Sequence, residues 1–172
     1  AQDWVPTLLA AAGVPGEKEK LLAGYKAGDK QFKVHLDGYN LLPYLEGKEE
    51  KSPRTDFYYF SDDGKLLAVR DGDWKVVFAE QRARRFDVWR DPFVDLRAPK
   101  IFNLRRDPYE RADTDSNSYN LWWDKKVFVV GFPAMHRVQN FLMTFQDYPP
   151  RQRPASFTVD QMTEKLLDLK SR

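Results

Sequence analysis

The stretch from Lys65 to Phe78, KLLAVRDGDWKVVF, narrows the choice of fold more than any other, because it reads as a β-hairpin. Two runs rich in β-favouring residues, Leu66 to Arg70 and Asp73 to Phe78, flank Asp71-Gly72, a pair that tolerates the positive φ of a two-residue turn. A turn there pairs Arg70 with Asp73, Val69 with Trp74 and Leu67 with Val76, so Leu67, Val69, Trp74 and Val76 share one face. The other face carries Leu66, Ala68, Arg70, Lys75 and Val77, a mixture that suits either solvent or a covering element.

Further strands flank this hairpin. Asp56 to Phe60, DFYYF, leads into it through the turn Ser61-Asp62-Asp63-Gly64, and Lys100 to Leu104 follows an irregular excursion from Glu80 to Pro99. Helical signals surround them. DWVPTLLAAAG from Asp3 has a capping Asp3, a Pro6 whose missing N–H costs nothing, and a terminating Gly13. Its apolar residues wrap nearly all the way round, the pattern of a helix with neighbours on most sides. EKEKLLAGYKAG is an amphipathic surface piece ended by Gly24 or Gly28. In VHLDGYNLLPYLEGK, Asp37-Gly38 makes a turn, and Asn40 caps a short helix from Leu41 to Glu46 that Gly47 closes.

Lys48 to Arg54 is a charged linker, and DPYERADTDSNS is a turn with a cap-rich helix entry. The longest helical signal runs from Tyr119 to Phe145, where Phe128, Phe132, Met135, Val138, Leu142 and Phe145 form a stripe suited to burial on a sheet. Gly131 and Pro133 should kink or split that helix. After the extended YPPRQRPAS, Thr158 caps a last helix with Met162, Leu166 and Leu169 on one side. These elements imply an α+β fold, a small antiparallel meander of about four strands with helices packed on one face.

A chain of 172 residues has room for one domain with a substantial core, and 42% hydrophobic with 15% aromatic residues argues against disorder. The 28 basic and 26 acidic residues leave +2, too small a bias to draw the chain onto nucleic acid or anionic lipid. The local excess Arg82, Arg84 and Arg85 reads as a solvated loop. Cysteine is absent, which removes disulfides, thiolate metal sites and cysteine nucleophiles together. The longest apolar run, Val127 to Met135, is too short to span a bilayer, and Ala1 to Gly13 reads as structure rather than as a signal peptide.

Catalytic signatures are sparse. The sequence carries no Gly-rich phosphate loop, HExxH or GxSxG, and its two histidines lie far apart. His35, beside a turn, is read as a hydrogen-bonded structural residue. Asp62 and Asp63 could ligate a metal as adjacent carboxylates, but before Gly64 they read first as a turn, and the same holds for Asp71 with Asp73. From these residues alone the reading stops at an α+β domain.

Four segments in order carry a resemblance: DWVPTLLAAAG at Asp3 to Gly13, LDGYNLLPYLEG at Leu36 to Gly47, LAVRDGDWK at Leu67 to Lys75 and IFNLRRDPYERAD at Ile101 to Asp113. Together they resemble the C-terminal part of a bacterial arylsulfatase of the formylglycine-dependent sulfatase family, within the alkaline phosphatase superfamily. PPRQRPASF at Pro149 to Phe157 resembles a narrower group of arylsulfatases. The resemblance implies a sulfuric ester hydrolase whose nucleophile, a formylglycine, and whose calcium ligands all lie upstream of the helix matched by Asp3 to Gly13. Ser52-Pro53-Arg54 lacks the residue that the C/S-x-P-x-R motif places between Ser and Pro.

On that resemblance, residues 1–50 close the catalytic domain and connect it to a C-terminal subdomain, residues 51–172. This chain alone is expected to be inactive, with no catalytic or metal residue of its own. It is expected to pack against a missing N-terminal catalytic domain, with His35, Asp62 and Asp63 as candidate substrate-rim residues, or to self-associate through the face left bare. Periplasmic or secreted localisation follows by the same resemblance. A phosphonate or phosphodiester hydrolase, or a free-standing interaction module, are the alternatives.

Overall fold

The computed structural model describes residues 2–149, so the helix expected after Thr158 and all but the first residue of PPRQRPASF lie outside the described residues. The chain divides into two compact units, residues 2–56 with 141–149, and residues 57–140.

In the first unit, α1 (Trp4–Ala11) and α2 (Glu17–Ala23) are followed by a small hairpin of β1 (Tyr25–Ala27) and β2 (Lys30–Phe32) and by α3 (Leu42–Leu45). The hairpin falls where the sequence suggested only the end of an amphipathic surface piece, because Gly24 ends α2 and Gly28, at φ +60°, turns the chain back. Asn40 supports the start of α3 as expected, its Oδ1 accepting from the Leu42 N–H at 2.9 Å.

The Asp3 side chain is a correction: it makes no capping bond to α1. Its oxygens instead accept from Arg54 Nε and Nη2, each at 2.5 Å, and from the Tyr39 N–H at 2.7 Å. Arg54, assigned to a linker by its charged surroundings, also donates to the carbonyls of Asp37 and Asp56 and lies over the Tyr39 ring. Thr7, buried on the same helix, donates to the Asp3 carbonyl at 2.7 Å and accepts from the Leu41 N–H at 2.9 Å. Gly38 belongs to this junction for steric reasons, since a Cβ there would lie 2.4 Å from the Gln2 carbonyl oxygen. Those bonds join DWVPT to DGYNLL.

The second unit is built on a four-stranded sheet in the order β3-β4-β5-β6, with β3 (Asp56–Phe60), β4 (Leu66–Asp71), β5 (Trp74–Glu80) and β6 (Val94–Asn103). The order is sequential, as the meander requires. The register of the central hairpin is a second correction: Arg70 pairs with Lys75 and Val69 with Val76, so the two-residue loop is Gly72-Asp73. Gly72 takes φ +57° at the first loop position while Asp73 stays at negative φ, the glycine-first pattern of a type II′ turn. Because the slip is of two residues, side-chain alternation survives it, and Val69, Trp74 and Val76 still share one face.

β6 begins earlier than Pro99 suggested. Val77 pairs with Lys100 and Ala79 with Asp95, so the residues between Asp95 and Lys100 bulge out and Pro99 needs no ladder bond.

Both sheet faces are covered. On one, Val69, Val76 and Ile101 are buried with Ala134 beneath the half-buried Val127, Val130 and Val138, each fully buried large side chain contributing about 1.5–3 kcal/mol. On the other, Ala68, Val77 and Phe102 are closed over by Tyr59, Leu96, Leu104 and Tyr119.

After the short α4 (Ala112–Asp115), whose first amides are capped by Asp107, the helical stretch runs as α5 (Tyr119–Lys126), a π turn (Val127–Gly131) and α6 (Phe132–Asp147). The widened turn absorbs Pro133, which would otherwise leave a carbonyl unpaired within an α-helix.

The stripe is a third correction. Phe128, Phe132 and Met135 are 68%, 55% and 52% exposed, with the two phenyl rings stacked on each other at 5.6 Å. The face that meets the sheet carries Val127, Val130, Gly131, Ala134 and Val138 instead. Small side chains bring the helix close: a Cβ on Gly131 would already touch Ile101 Cδ1 at 3.8 Å. No helix among the described residues is long and apolar enough to cross a membrane.

Candidate functional site

At the hairpin-loop end of the sheet, three pieces of the second unit enclose a cleft of about 430 Å³. The β4–β5 turn supplies Asp73 and Trp74, the end of β6 supplies Asn103 with Arg105 and Arg106 just beyond it, and α5 supplies Trp122 and Lys126 from one helix face. Local bonds set the shape. The Asn103 carbonyl and Oδ1 accept from the Arg106 N–H, the Asp107 N–H returns to the Asn103 carbonyl at 2.8 Å, and the Leu104 N–H reaches the Asp73 carbonyl at 2.7 Å. A tight turn therefore presents two consecutive arginines beside the hairpin loop.

The opposite wall is held by α5. Tyr119 Oη donates to the Ile101 carbonyl and accepts from the Ile101 N–H, and Trp123 Nε1 donates to the Pro99 carbonyl at 2.8 Å. With both neighbours tied to β6, Trp122 stacks on Trp74 at 6.0 Å and an interplanar angle of 26°. Lys126 Nζ lies 5.7 Å from the Trp74 ring centre, close enough for a cation–π attraction.

The electrostatics of the cleft are one-sided. Arg105, Arg106 and Lys126 face a single lining carboxylate, Asp73, and none of the three pairs with a carboxylate among the described residues. Neither the Trp74 nor the Trp122 indole N–H donates to a described residue, and neither is sealed from solvent. The lining thus offers hydrogen-bond donors, positive charge and aromatic surface, the equipment of a binding site for an anion.

Other ion pairs of this unit are internal ties. Lys75 Nζ holds both carboxylate oxygens of Glu110 at 2.7 and 2.8 Å and lies over the Tyr59 ring. Glu110 takes φ +55° to reach it. Lys100 bridges Glu80 and Asp113 at 2.5 and 2.6 Å. Burial opposes its charge, but the two carboxylates hold the Lys100 ammonium above its ordinary pKa. In return, the Lys100 hydrogen bond holds the Glu80 carboxyl below its ordinary range.

The residues singled out from sequence lie elsewhere. His35, in the first unit, shares a hydrogen bond between Nδ1 and Asp37 Oδ1 at 3.0 Å and contacts the Tyr148 ring. Asp62 and Asp63 form the exposed β3–β4 turn, in which Ser61 Oγ accepts from the Asp63 and Lys65 N–H groups. Among the described residues no three His, Cys, Asp or Glu side chains converge on a cation site, so these residues do not fit the calcium that the resemblance implies for a longer protein. The cleft went unread in the sequence, where only the Arg105-Arg106 pair after a strand hinted at it.

Neither protein-family models nor curated proteins give a match to this chain. Among solved structures, the crystal structure of PsFucS1 sulfatase from Pseudoalteromonas sp. is similar over 67% of the chain, with TM-score 0.51 and 24% identity. The chain has the fold of part of a sulfatase. It spans only 22% of that protein's length, and at this identity the likeness speaks for fold alone.

Proposed function

We propose that this chain is the C-terminal portion of an arylsulfatase-like sulfuric ester hydrolase and serves it as a structural subdomain rather than as the seat of turnover. The observation that carries this reading is the fold shared with a stretch that makes up 22% of a sulfatase's length. Two features support it. Segments that resemble the family are tied to one another, Asp3 and Thr7 to Tyr39 and Leu41, and Lys75 to Glu110. Apolar side chains also face outward where a globule would bury them: Trp4, Val5 and Leu8 on α1, and Phe128, Phe132 and Met135 on the π turn and α6. The occupant assigned to these faces is the rest of the same protein, the upstream catalytic domain, with self-association of the isolated chain as the consequence of its removal.

His35, Asp62 and Asp63 remain the candidates for a substrate rim in the whole enzyme. Their replacement there should slow hydrolysis of bulky sulfate esters while sparing small ones.

The deciding experiment is to read the coding sequence upstream of Ala1 and assay the longer protein on 4-nitrophenyl sulfate. A Cys-x-Pro-Ser-Arg motif after an Asp-Asp pair, with turnover by the longer protein and none by residues 1–172, is the expected result. A longer protein without that motif and without sulfate ester hydrolysis overturns the reading.

A further inference from the structure

We propose that the loop between β5 and β6 is a docking tip for the surface of an anionic phospholipid bilayer. The inference stands apart from the sulfatase reading, since it rests only on the side chains of that loop. Glu80 pairs with Val94 where the two strands end, and the chain between them leaves this stem as a protrusion in which every residue from Arg84 to Pro92 is exposed. Large apolar side chains stand on it. Phe86 is 86% exposed, Trp89 80% and Val88 41%, and a single 3₁₀ turn, Arg85–Trp89, carries all three. Residues three apart eclipse in such a turn, so the Phe86 and Trp89 rings lie on one side of it.

The protrusion is formed in advance. Gln81 Nε2 donates to the Asp91 carbonyl and Gln81 Oε1 accepts from the Ala83 N–H, each at 2.8 Å, which closes the loop across its base. The Arg90 and Asp91 N–H groups return to the Asp87 carbonyl at 3.0 and 2.9 Å. Arg85 takes φ +56°, a conformation that costs an arginine energy and that these bonds maintain. The rings are thus held out in water before any partner arrives, and little ordering accompanies contact.

Charge decides the occupant. The net charge of +2 draws the whole chain nowhere, but four arginines against two aspartates lie between Gln81 and Pro92. Arg82 pairs with Glu80 and Arg90 with Asp87, whereas Arg84 and Arg85 have no carboxylate partner among the described residues. Two unpaired guanidinium groups directly before two exposed rings match the headgroup layer of an anionic bilayer. Lipid phosphates take the arginines through paired N–H bonds, and Trp89 enters the layer with its indole N–H, which donates to no described residue, left among polar groups.

The test is cosedimentation of the 172-residue chain with vesicles of phosphatidylcholine alone and of phosphatidylcholine mixed equally with phosphatidylglycerol. A parallel series uses lipids brominated on the acyl chain, which quench the fluorescence of a tryptophan that reaches them. The chain should bind the anionic vesicles about tenfold or more above the neutral ones, with binding falling as salt rises. Arg84→Gln with Arg85→Gln should weaken that binding about tenfold or more, and Phe86→Ser with Trp89→Ser should abolish it. All four side chains are exposed, so neither pair should move the thermal unfolding midpoint. Trp89→Phe should keep the binding and lose most of the quenching. Binding indifferent to lipid charge overturns the proposal. Quenching that survives Trp89→Phe and disappears in Trp4→Phe also overturns it, by placing α1 rather than this loop on the bilayer. So does the absence of binding to anionic vesicles at millimolar lipid, the outcome expected of a loop that docks on a protein instead.

Discussion

Asp3 and Arg54, 51 residues apart, meet through two hydrogen bonds of 2.5 Å with both side chains more than four-fifths buried. The carboxylate is thereby withdrawn from the helix whose start it marks and used to close the first unit. Removing one partner strands the other charge in a partly buried position, so Arg54→Met should destabilise this unit by about 2 kcal/mol. Asp3→Asn with Arg54→Met should cost less than the two single changes added together. Urea unfolding of the four proteins measures the coupling, and simple additivity would show that the pair is ornamental.

Acid should find the same joint. Burial opposes ionisation of Asp3, but the Arg54 hydrogen bonds and the Tyr39 N–H outweigh it and hold the carboxyl below its ordinary value; Glu80 is lowered likewise by Lys100. A depressed pKa means that the folded state binds its proton later than the unfolded one. The stabilisation is therefore complete above the unfolded values, about pH 4 to 5, and is lost as pH falls through the lowered folded values. Stability followed by circular dichroism from pH 6 to pH 2 should drop, and Asp3→Asn should make the drop shallower.

Gly38 is held by space. Its backbone does not take positive φ, yet a Cβ would stand 2.4 Å from the Gln2 carbonyl oxygen and 3.0 Å from Pro6 Cγ. Gly38→Ala should cost about 1–3 kcal/mol, as overpacking does, despite alanine's general preference over glycine in the folded state. A thermal midpoint equal to the parent's would mean that α1 can withdraw from this turn.

Two positions on one helix separate the inward face from the outward one. Ala134→Asp places an unpaired carboxylate against Val69, Val76 and Ile101 and should cost at least about 3 kcal/mol. Phe132→Asp, on the exposed side, should change stability by no more than about 0.5 kcal/mol and should reduce self-association in sedimentation at high concentration. Reversed costs would restore Phe132 to the core.

The Lys75–Glu110 tie joins the end of the hairpin to the DPYE turn. Glu110→Gln keeps shape and loses charge, so it should cost about 1–2 kcal/mol. The loss should show as faster amide exchange at Arg111 and Ala112, whose N–H groups bond to the neighbouring Asp107.

What was legible in advance was whatever depends on near neighbours along the chain. The sequential β3-β4-β5-β6 sheet, the helix ended before Gly13 and the Asn40 support of α3 all follow from turn residues, caps and alternation, whereas the kink or split expected at Gly131 and Pro133 is a π turn within an unbroken helical run. The hairpin loop was misplaced because Asp71-Gly72 and Gly72-Asp73 both satisfy a two-residue turn, and only the ladder to β6, where Trp74 meets Asn103, selects between them.

The direction of each surface was not legible. Periodicity marks Phe128, Phe132 and Met135 as one face of a helix, but which face meets the sheet depends on how closely the two can approach, and Gly131 and Ala134 win that contact by being small. Asp3 likewise looks like a cap until Arg54 comes near it in space. The cleft draws on residues from three separate elements, none remarkable by itself, and becomes a site only when Tyr119 and Trp123 fix α5 beside the end of β6. Local chemistry determined the elements and their order; close packing and long-range charge pairing, which have no signature in spacing, decided what they face.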